Sequence, residues 1–439
     1  LNETDKILLV NGARQIGKSY LIRYIGKKLF RNYLEINLKE DSEGEQVFAN
    51  VRTSSDLYMQ LSNYSNQKLG NCSNTLVFLD EIQCYPHLLT MLKFLNQERR
   101  YRFVASGSQL GVALSQTPSV PIGSIETLEM FPLDFEEFLW ALGVGEEWID
   151  FVRTRFRNQQ SLDENNHNII LKRFQYYLLI GGMPDAVNRF LEDRNMLRVR
   201  NVHNVIRDLY KIDASQYDSE HKLNIRRIYD MIPSNLENKK KRLVYKDIEN
   251  KTGKHFSDYA DEFEYLSNSG VALEVLAISN PKFPLIESEQ KRLLKLYLSD
   301  VGLLTSILYD LNINAILQDQ PSINLGTVYE SVVAQELHAH GFPLHYYDNK
   351  QLGEVDFLVD DYQRLKVLPI EVKSGKDYKR HTALSKFLSN NDYTIDRAIV
   401  FSNAREVECK NSVVYMPIYY VMFLNSRDVE PADYILPEI

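Results

Sequence analysis

Ile7-Leu8-Leu9-Val10-Asn11-Gly12-Ala13-Arg14-Gln15-Ile16-Gly17-Lys18-Ser19 is the stretch on which the reading of this chain turns. The apolar run Ile7 to Val10 reads as a buried parallel strand. Tyr20-Leu21-Ile22-Arg23, on the other side, opens a helix. Between them, G-x-x-x-x-G-K-S puts Gly12 and Gly17 where a Cβ would intrude on a phosphate wrapped by backbone. N–H groups of the loop and of the first helical turn then point inward as an anion site. Gly12, Ala13, Arg14, Gln15, Ile16, Gly17, Lys18, Ser19 and Tyr20 are therefore the expected nucleotide-binding run. Lys18 sets a point charge against the β- and γ-phosphates during transfer, and Ser19 offers its hydroxyl to Mg²⁺.

A second apolar run, Thr75-Leu76-Val77-Phe78-Leu79-Asp80-Glu81-Ile82-Gln83, ends in paired carboxylates. Open α/β sheets bind ligands at the carboxyl ends of their strands. There Asp80 would hold Mg²⁺, directly or through water, and Glu81 would orient and deprotonate an attacking water. A third strand, Tyr101 to Ala105, ends in Ser106-Gly107-Ser108-Gln109. Between the other two strands, Ser106 would report on the γ-phosphate or hold the attacking water; a plain Ser/Gly turn is the competing reading. Tyr33 to Leu38 alternates as a further strand and leads into a polar acidic stretch, 39–45. Residues 125–130 and 131–139 suggest a strand, a turn and an aromatic-rich helix.

A chain of 439 residues exceeds one hydrophobic core, and about three domains is the natural expectation. With 44% hydrophobic and 25% charged residues the composition is that of folded domains. A net charge of −8 argues against a surface that binds nucleic acid throughout, though not against a local basic patch. Cys72, Cys84 and Cys409 are widely spaced, which supports neither a disulfide framework nor a zinc site and fits a reducing, cytoplasmic setting. No apolar run approaches the roughly 18 residues of a membrane span, so no membrane partner is expected.

Five motifs occur in order: the phosphate loop, Leu79-Asp80-Glu81-Ile82-Gln83, Ser106-Gly107-Ser108, Phe131-Pro132-Leu133-Asp134-Phe135-Glu136-Glu137-Phe138, and Gly181-Gly182-Met183-Pro184. Together they resemble a family of prokaryotic AAA-type ATPases that end in a domain of unknown function. The resemblance implies an α/β chain: a P-loop AAA-type core (1–145), a helical lid (146–217), a winged-helix-like module (218–312) and a C-terminal restriction-endonuclease-like α/β domain (320–439). ATP and Mg²⁺ are the implied cofactors, with DNA or a protein as further partner and an oligomer as an open alternative.

The residues agree with that order. From Trp148 to Tyr217 the pattern is helical, broken at Gly181-Gly182-Met183-Pro184, and Arg173 and Arg207 are candidates to reach a γ-phosphate in trans. A solvated helix face is the alternative for each. Three helical segments (223–231, 245–249, 259–266) then precede strands at 272–276 and 294–298, the order of a winged helix. Asp258, Asp261, Glu262 and Glu264 at the recognition-helix position would repel phosphates, which favours a packing or protein-contact module over a DNA reader. Lys239-Lys240-Lys241-Arg242 reads as a solvated loop.

The last domain holds another ordered set. Residues 326–337 read as an amphipathic helix that projects Glu330 inward, Asp356 alternates on one strand, and Glu371 and Lys373, two apart on the next, face one side. The set resembles the nuclease arrangement of restriction-like enzymes: Glu330, Asp356 and Glu371 on Mg²⁺, and Lys373 orienting water or stabilising developing charge. A buried ion-pair cluster that specifies the fold is the alternative. None of the nine histidines has a partner at metal-ligand spacing. The chain thus reads as a Mg²⁺-dependent ATPase, with an ATP-gated nuclease and a nucleotide-switched interaction protein as rivals.

Overall fold

The computed structural model describes residues 4–65, 69–108, 110, 123–217, 222–238, 241–318, 325–375, 377–390 and 392–426. Gln109, Lys239, Lys240 and Lys376 lie outside them. The chain divides into two compact units: Leu1–Phe131 with Glu264–Val271, and Pro132–Phe263 with Ala272–Ile439.

The first unit runs β1 (Ile7–Asn11), α1 (Lys18–Leu29), β2 (Asn32–Asn37), α2 (Leu38–Glu43), α3 (Ser54–Tyr64), β3 (Thr75–Asp80), α4 (Pro86–Glu98), β4 (Arg102–Ser106) and β5 (Ile125–Glu129). Its five-stranded sheet has the order β2-β3-β4-β1-β5, parallel at every pairing. Helices on both faces explain why β3 is buried at every position. Leu9, Val77, Leu79 and Ala105 face one way, against Leu57, Leu61, Leu88 and Leu92. Val10, Phe78 and Val104 face the other way, with Ile22 of α1. Part of the polar acidic stretch is helical: the Asn37 side chain accepts from Lys39 N and Glu40 N and starts α2.

In the second unit come α5 (Phe135–Ala141), α6 (Glu146–Arg157), α7 (Glu164–Ile180), α8 (Pro184–Asp193), α9 (Met196–Tyr217), α10 (Lys222–Glu237) and α11 (Tyr245–Glu249). The chain continues through α12 (Ala260–Asn268), whose residues from Glu264 on belong to the first unit, and then β6 (Ala272–Ile278), β7 (Glu289–Leu298), α13 (Val301–Leu308), α14 (Asn314–Leu317) and α15 (Gly326–Ala339). It ends in β8 (His345–Asn349), β9 (Gly353–Asp361), β10 (Lys366–Lys373), α16 (Thr382–Leu388), β11 (Ala398–Ser402), β12 (Glu408–Lys410) and β13 (Val413–Pro417). One eight-stranded mixed sheet, β12-β13-β11-β10-β9-β8-β6-β7, runs through it. The β6–β7 hairpin read as a wing is an edge of that sheet, because β6 pairs in parallel with β8.

Two motifs read separately meet in this unit. Leu133 N donates to Gly182 O at 2.8 Å, and the Tyr177 hydroxyl donates to Leu133 O at 2.6 Å. A Cβ on Gly182 would overlap Leu133 O. Asp300, the N-cap of α13, accepts from Gly182 N at 2.6 Å and Leu303 N at 2.9 Å, which fixes the break between α7 and α8. Its burial pushes the carboxyl up to about 6.

Helix α15 departs from its amphipathic reading. Every residue from Thr327 to Leu337 is buried. Its polar residues are not a solvent face but links to neighbouring elements. Gln335 Oε1 accepts from Val301 N at 2.9 Å, Gln335 Nε2 donates to Tyr177 Oη at 2.8 Å, and Glu336 Oε1 accepts from Phe135 N at 2.9 Å. Gln335, so satisfied, is stable in a core, whereas Glu336 Oε2 is buried without a hydrogen-bond partner among the described residues.

Candidate functional site

At the carboxyl ends of β1 and β3 the backbone is bent into uncommon conformations. Gly12 has φ 137°, Gln15 65° and Gly17 92°. A Cβ on Gly12 would overlap Met130 O and Ile16 Cδ1, so that position takes no side chain. Ala13 and Ile16 are buried and pin the loop. Gly270, in the same unit, comes so near that a Cβ there would lie 3.0 Å from Ala13 N. Lys18 is only 7% exposed, and its Nζ donates to Gly12 O at 2.8 Å and Ala13 O at 2.7 Å. The ammonium thus stands inside the loop that its own charge would serve.

Asp80 is the hub beside it. Ser19 Oγ donates to Asp80 Oδ2 at 2.7 Å, Ser106 Oγ donates to Oδ1, and Glu81 N donates to Oδ1 at 3.1 Å. Burial pushes the Asp80 carboxyl above its ordinary range, while the Ser106 and Ser19 hydroxyls oppose that rise. Ser106 reaches this position because β4 lies between β3 and β1.

Glu81 follows at φ 54°, a left-handed conformation that costs a non-glycine residue about 1–2 kcal/mol. Such strain collects where a side chain must be aimed. Its Oε2 accepts from Gln83 Nε2 and from Ser108 Oγ, the latter at 3.3 Å. Ser108 Oγ in turn accepts from Arg14 Nε at 3.1 Å. This Arg14–Ser108–Glu81 chain ties the phosphate loop to the turn after β4. Sequence reasoning quoted Ser108 but gave it no role, and its pairing depends on strand order, which no local pattern reveals. Tyr20, counted in the nucleotide-binding run, is 71% exposed.

In the second unit Glu330, Asp356, Glu371 and Lys373 are brought together. Lys373 Nζ donates to Glu371 Oε1 at 2.6 Å, and Val372 N donates to Asp356 Oδ2 at 2.8 Å. The Tyr297 hydroxyl faces Glu330 Oε2 at 3.4 Å. Burial and then Asp356 push both Glu330 and Glu371 above the usual carboxylate range. Lys241 corrects an expectation: it forms an ion pair with Glu330 Oε1 instead of lying in a solvated loop, and Arg242 pairs with Asp348. Lys295 Nζ, with no exposed side-chain surface, pairs with Glu354 and lies 4.3 Å from the centre of the Tyr346 ring. A lysine between leucines in mid-strand was the visible signal for Lys295. Among the described residues no group of three or more His, Cys, Asp and Glu is arranged to hold a metal ion.

Of the arginine candidates, Arg173 lies over the Trp148 ring at 5.2 Å, and Arg207 bonds Asn204 Oδ1 on its own helix at 3.2 Å. Arg200, unremarked in the sequence, is fully buried and binds Asp310 O and Leu179 O. No helix among the described residues is long and apolar enough to cross a membrane.

Three family models match the chain in succession: an AAA domain over residues 4–139, a domain of unknown function (DUF8612) over 171–315, and another (DUF4143) over 325–421. No curated protein matches. Among solved structures, the S. cerevisiae Hsp104-ADP complex is similar at 9% identity and a TM-score of 0.25. That alignment covers 76% of this chain and 40% of the other, and at such a score it carries no weight for the fold.

Proposed function

We propose that the first unit binds ATP with Mg²⁺ and hydrolyses it. One observation carries the reading: Ser19 and Ser106 converge on Asp80 beside a loop whose lysine is wrapped by its own carbonyls. The AAA match over residues 4–139 supports it independently.

The residues fit Mg²⁺. Asp80 and Ser19 are hard oxygen donors in contact with one another, and Mg²⁺ takes few protein oxygens besides phosphate and water. Bound there, Mg²⁺ would neutralise charge on the β- and γ-phosphate oxygens. Everything else falls to the chain. Lys18 exchanges two carbonyl acceptors for phosphate oxygens. Loop N–H groups hold the phosphates in register. Glu81, aimed by Ser108 and Gln83, accepts a proton from the attacking water.

The helices and hairpin of 222–298 act as a packing module in this reading, not as a DNA reader. Two facts support that: β6 joins β8, and Glu262 is buried and accepts from Asn224 Nδ2 at 3.3 Å. The lysines among the C-terminal carboxylates likewise favour a nucleotide-driven interaction protein over an ATP-gated nuclease.

The test is Mg²⁺-dependent phosphate release with ATP binding measured on the same samples. Lys18→Ala should lose binding. Glu81→Gln should keep binding and lose at least about 100-fold in turnover, the scale of a general base. Undiminished turnover in Glu81→Gln would overturn the assignment.

A further inference from the structure

Around Glu330 the second unit gathers four carboxylates and three ammonium groups. Glu330, Glu354, Asp356 and Glu371 are the acids; Lys241, Lys295 and Lys373 are the cations. A protein donor occupies an oxygen of each acid: Lys241 on Glu330, Lys295 on Glu354, Val372 N on Asp356 and Lys373 on Glu371. A divalent ion would have to compete with donors that are covalently part of the chain. The residues that a nuclease-like reading assigns to Mg²⁺ therefore do not fit it as they stand.

Lys241 is the cation that comes from outside the sheet. It lies between α10 and α11, 89 residues before Glu330, at a backbone φ of 49°. The left-handed conformation is unfavourable for lysine, so a tertiary contact must hold it there. Arg242 beside it binds Asp348 of β8, which anchors the same segment to the same sheet.

The cluster also holds an acceptor that no donor reaches. Glu371 Oε2 is buried and has no hydrogen-bond partner among the described residues, in a side chain that is only 4% exposed. Lys241 supplies the donor on Glu330 Oε1, so loss of its charge would leave a second buried carboxylate oxygen, besides Glu371 Oε2, open to a divalent ion. We propose that Lys241 is a tethered counter-cation that closes the carboxyl-terminal carboxylates to divalent metal, and that the cluster takes up such an ion only when residue 241 loses its charge.

Mn²⁺ is the probe, titrated by electron paramagnetic resonance into nucleotide-free full-length protein, with Tm followed in parallel. Any binding at Ser19 and Asp80 is common to all variants and cancels. Wild type and the Lys241→Met/Glu330→Gln double variant should bind Mn²⁺ alike. Lys241→Met should bind about one further ion per chain and gain a Mn²⁺-dependent rise in Tm. The proposal is overturned if Lys241→Met gains no site, or if wild type already has one that Glu330→Gln removes. Should Lys241→Met fail to fold with and without Mn²⁺, wild type against Glu330→Gln decides. Equal Mn²⁺ binding supports closure, and a site lost with Glu330 overturns it.

Discussion

Removing one hydroxyl tests how Asp80, the proposed Mg²⁺ ligand, is kept ionised. Ser106 is fully buried and donates to Asp80 Oδ1, and that bond opposes the rise in the Asp80 pKa that burial causes. Hydrogen bonds to a charged group are worth about 1.5–3 kcal/mol. Without that donor Asp80 is harder to ionise by about that energy, so Ser106→Ala should raise its pKa further. Asp80 must be ionised to serve Mg²⁺, so the sign is fixed: the acid limb of the pH–turnover profile moves to higher pH. On that limb turnover falls by roughly 10- to 100-fold against wild type. Well above the raised pKa the two proteins converge, because both carboxylates are then charged. The assay is phosphate release at limiting Mg²⁺ and ATP across a pH series, where proton and metal compete for Asp80, with far-ultraviolet circular dichroism to confirm folding. An unshifted acid limb would refute the argument. So would a loss equal at every pH, because it would mean that Ser106 positions without tuning.

The remaining predictions concern stability. Gly182→Ala forces a methyl group into Leu133 O, a backbone atom that cannot rotate away, and should cost about 3 kcal/mol, read as a lower urea midpoint at unchanged slope; an unchanged midpoint would show that the α7–α8 break relaxes freely. Burial, and then Asp134, push the Glu336 carboxyl up from 4.5 to about 8, so the native chain keeps a proton that the unfolded chain releases. Stability is therefore fully present below the unfolded value and is lost as pH rises towards 8, and Glu336→Gln should flatten the fall in Tm over that window; parallel slopes for the two proteins would sink the idea.

The strand-to-helix loop after β1 was legible because its geometry constrains each position. Gly12 can hold no Cβ beside Met130, and Lys18 and Ser19 must open the helix that follows. The strand read from Tyr101 to Ala105 was legible from its apolar run, and the observed β4, Arg102–Ser106, is displaced by one residue. Helix α15 was misread because Gln335 and Glu336 look alike whether they face water or a buried N–H. Only the partners decide, and those sit at the starts of α13 and α5. Lys241 was hidden for a stronger reason. A run of basic residues is ordinarily solvated, and nothing local says that one member meets a glutamate 89 positions away. The β6–β7 hairpin shows the same limit, since order along the chain fits both a free wing and a sheet edge.

Both units set an ammonium among oxygen acceptors, yet the acceptors differ in what they cost to abandon. Lys18 bonds two neutral carbonyls, Gly12 O and Ala13 O. Each such bond is worth about 0.5–1.5 kcal/mol net, and a triphosphate offers stronger, charged acceptors in exchange. Leaving the loop is then favourable as soon as nucleotide arrives. Lys241 bonds a buried carboxylate, and breaking a buried pair by removing one partner costs about 3–5 kcal/mol, because the other charge is stranded. No neutral ligand repays that, and a divalent ion must first displace a partner that is always at hand. Thus similar lysine–oxygen contacts make one site exchangeable and the other closed, and the charge on the acceptor is what separates them.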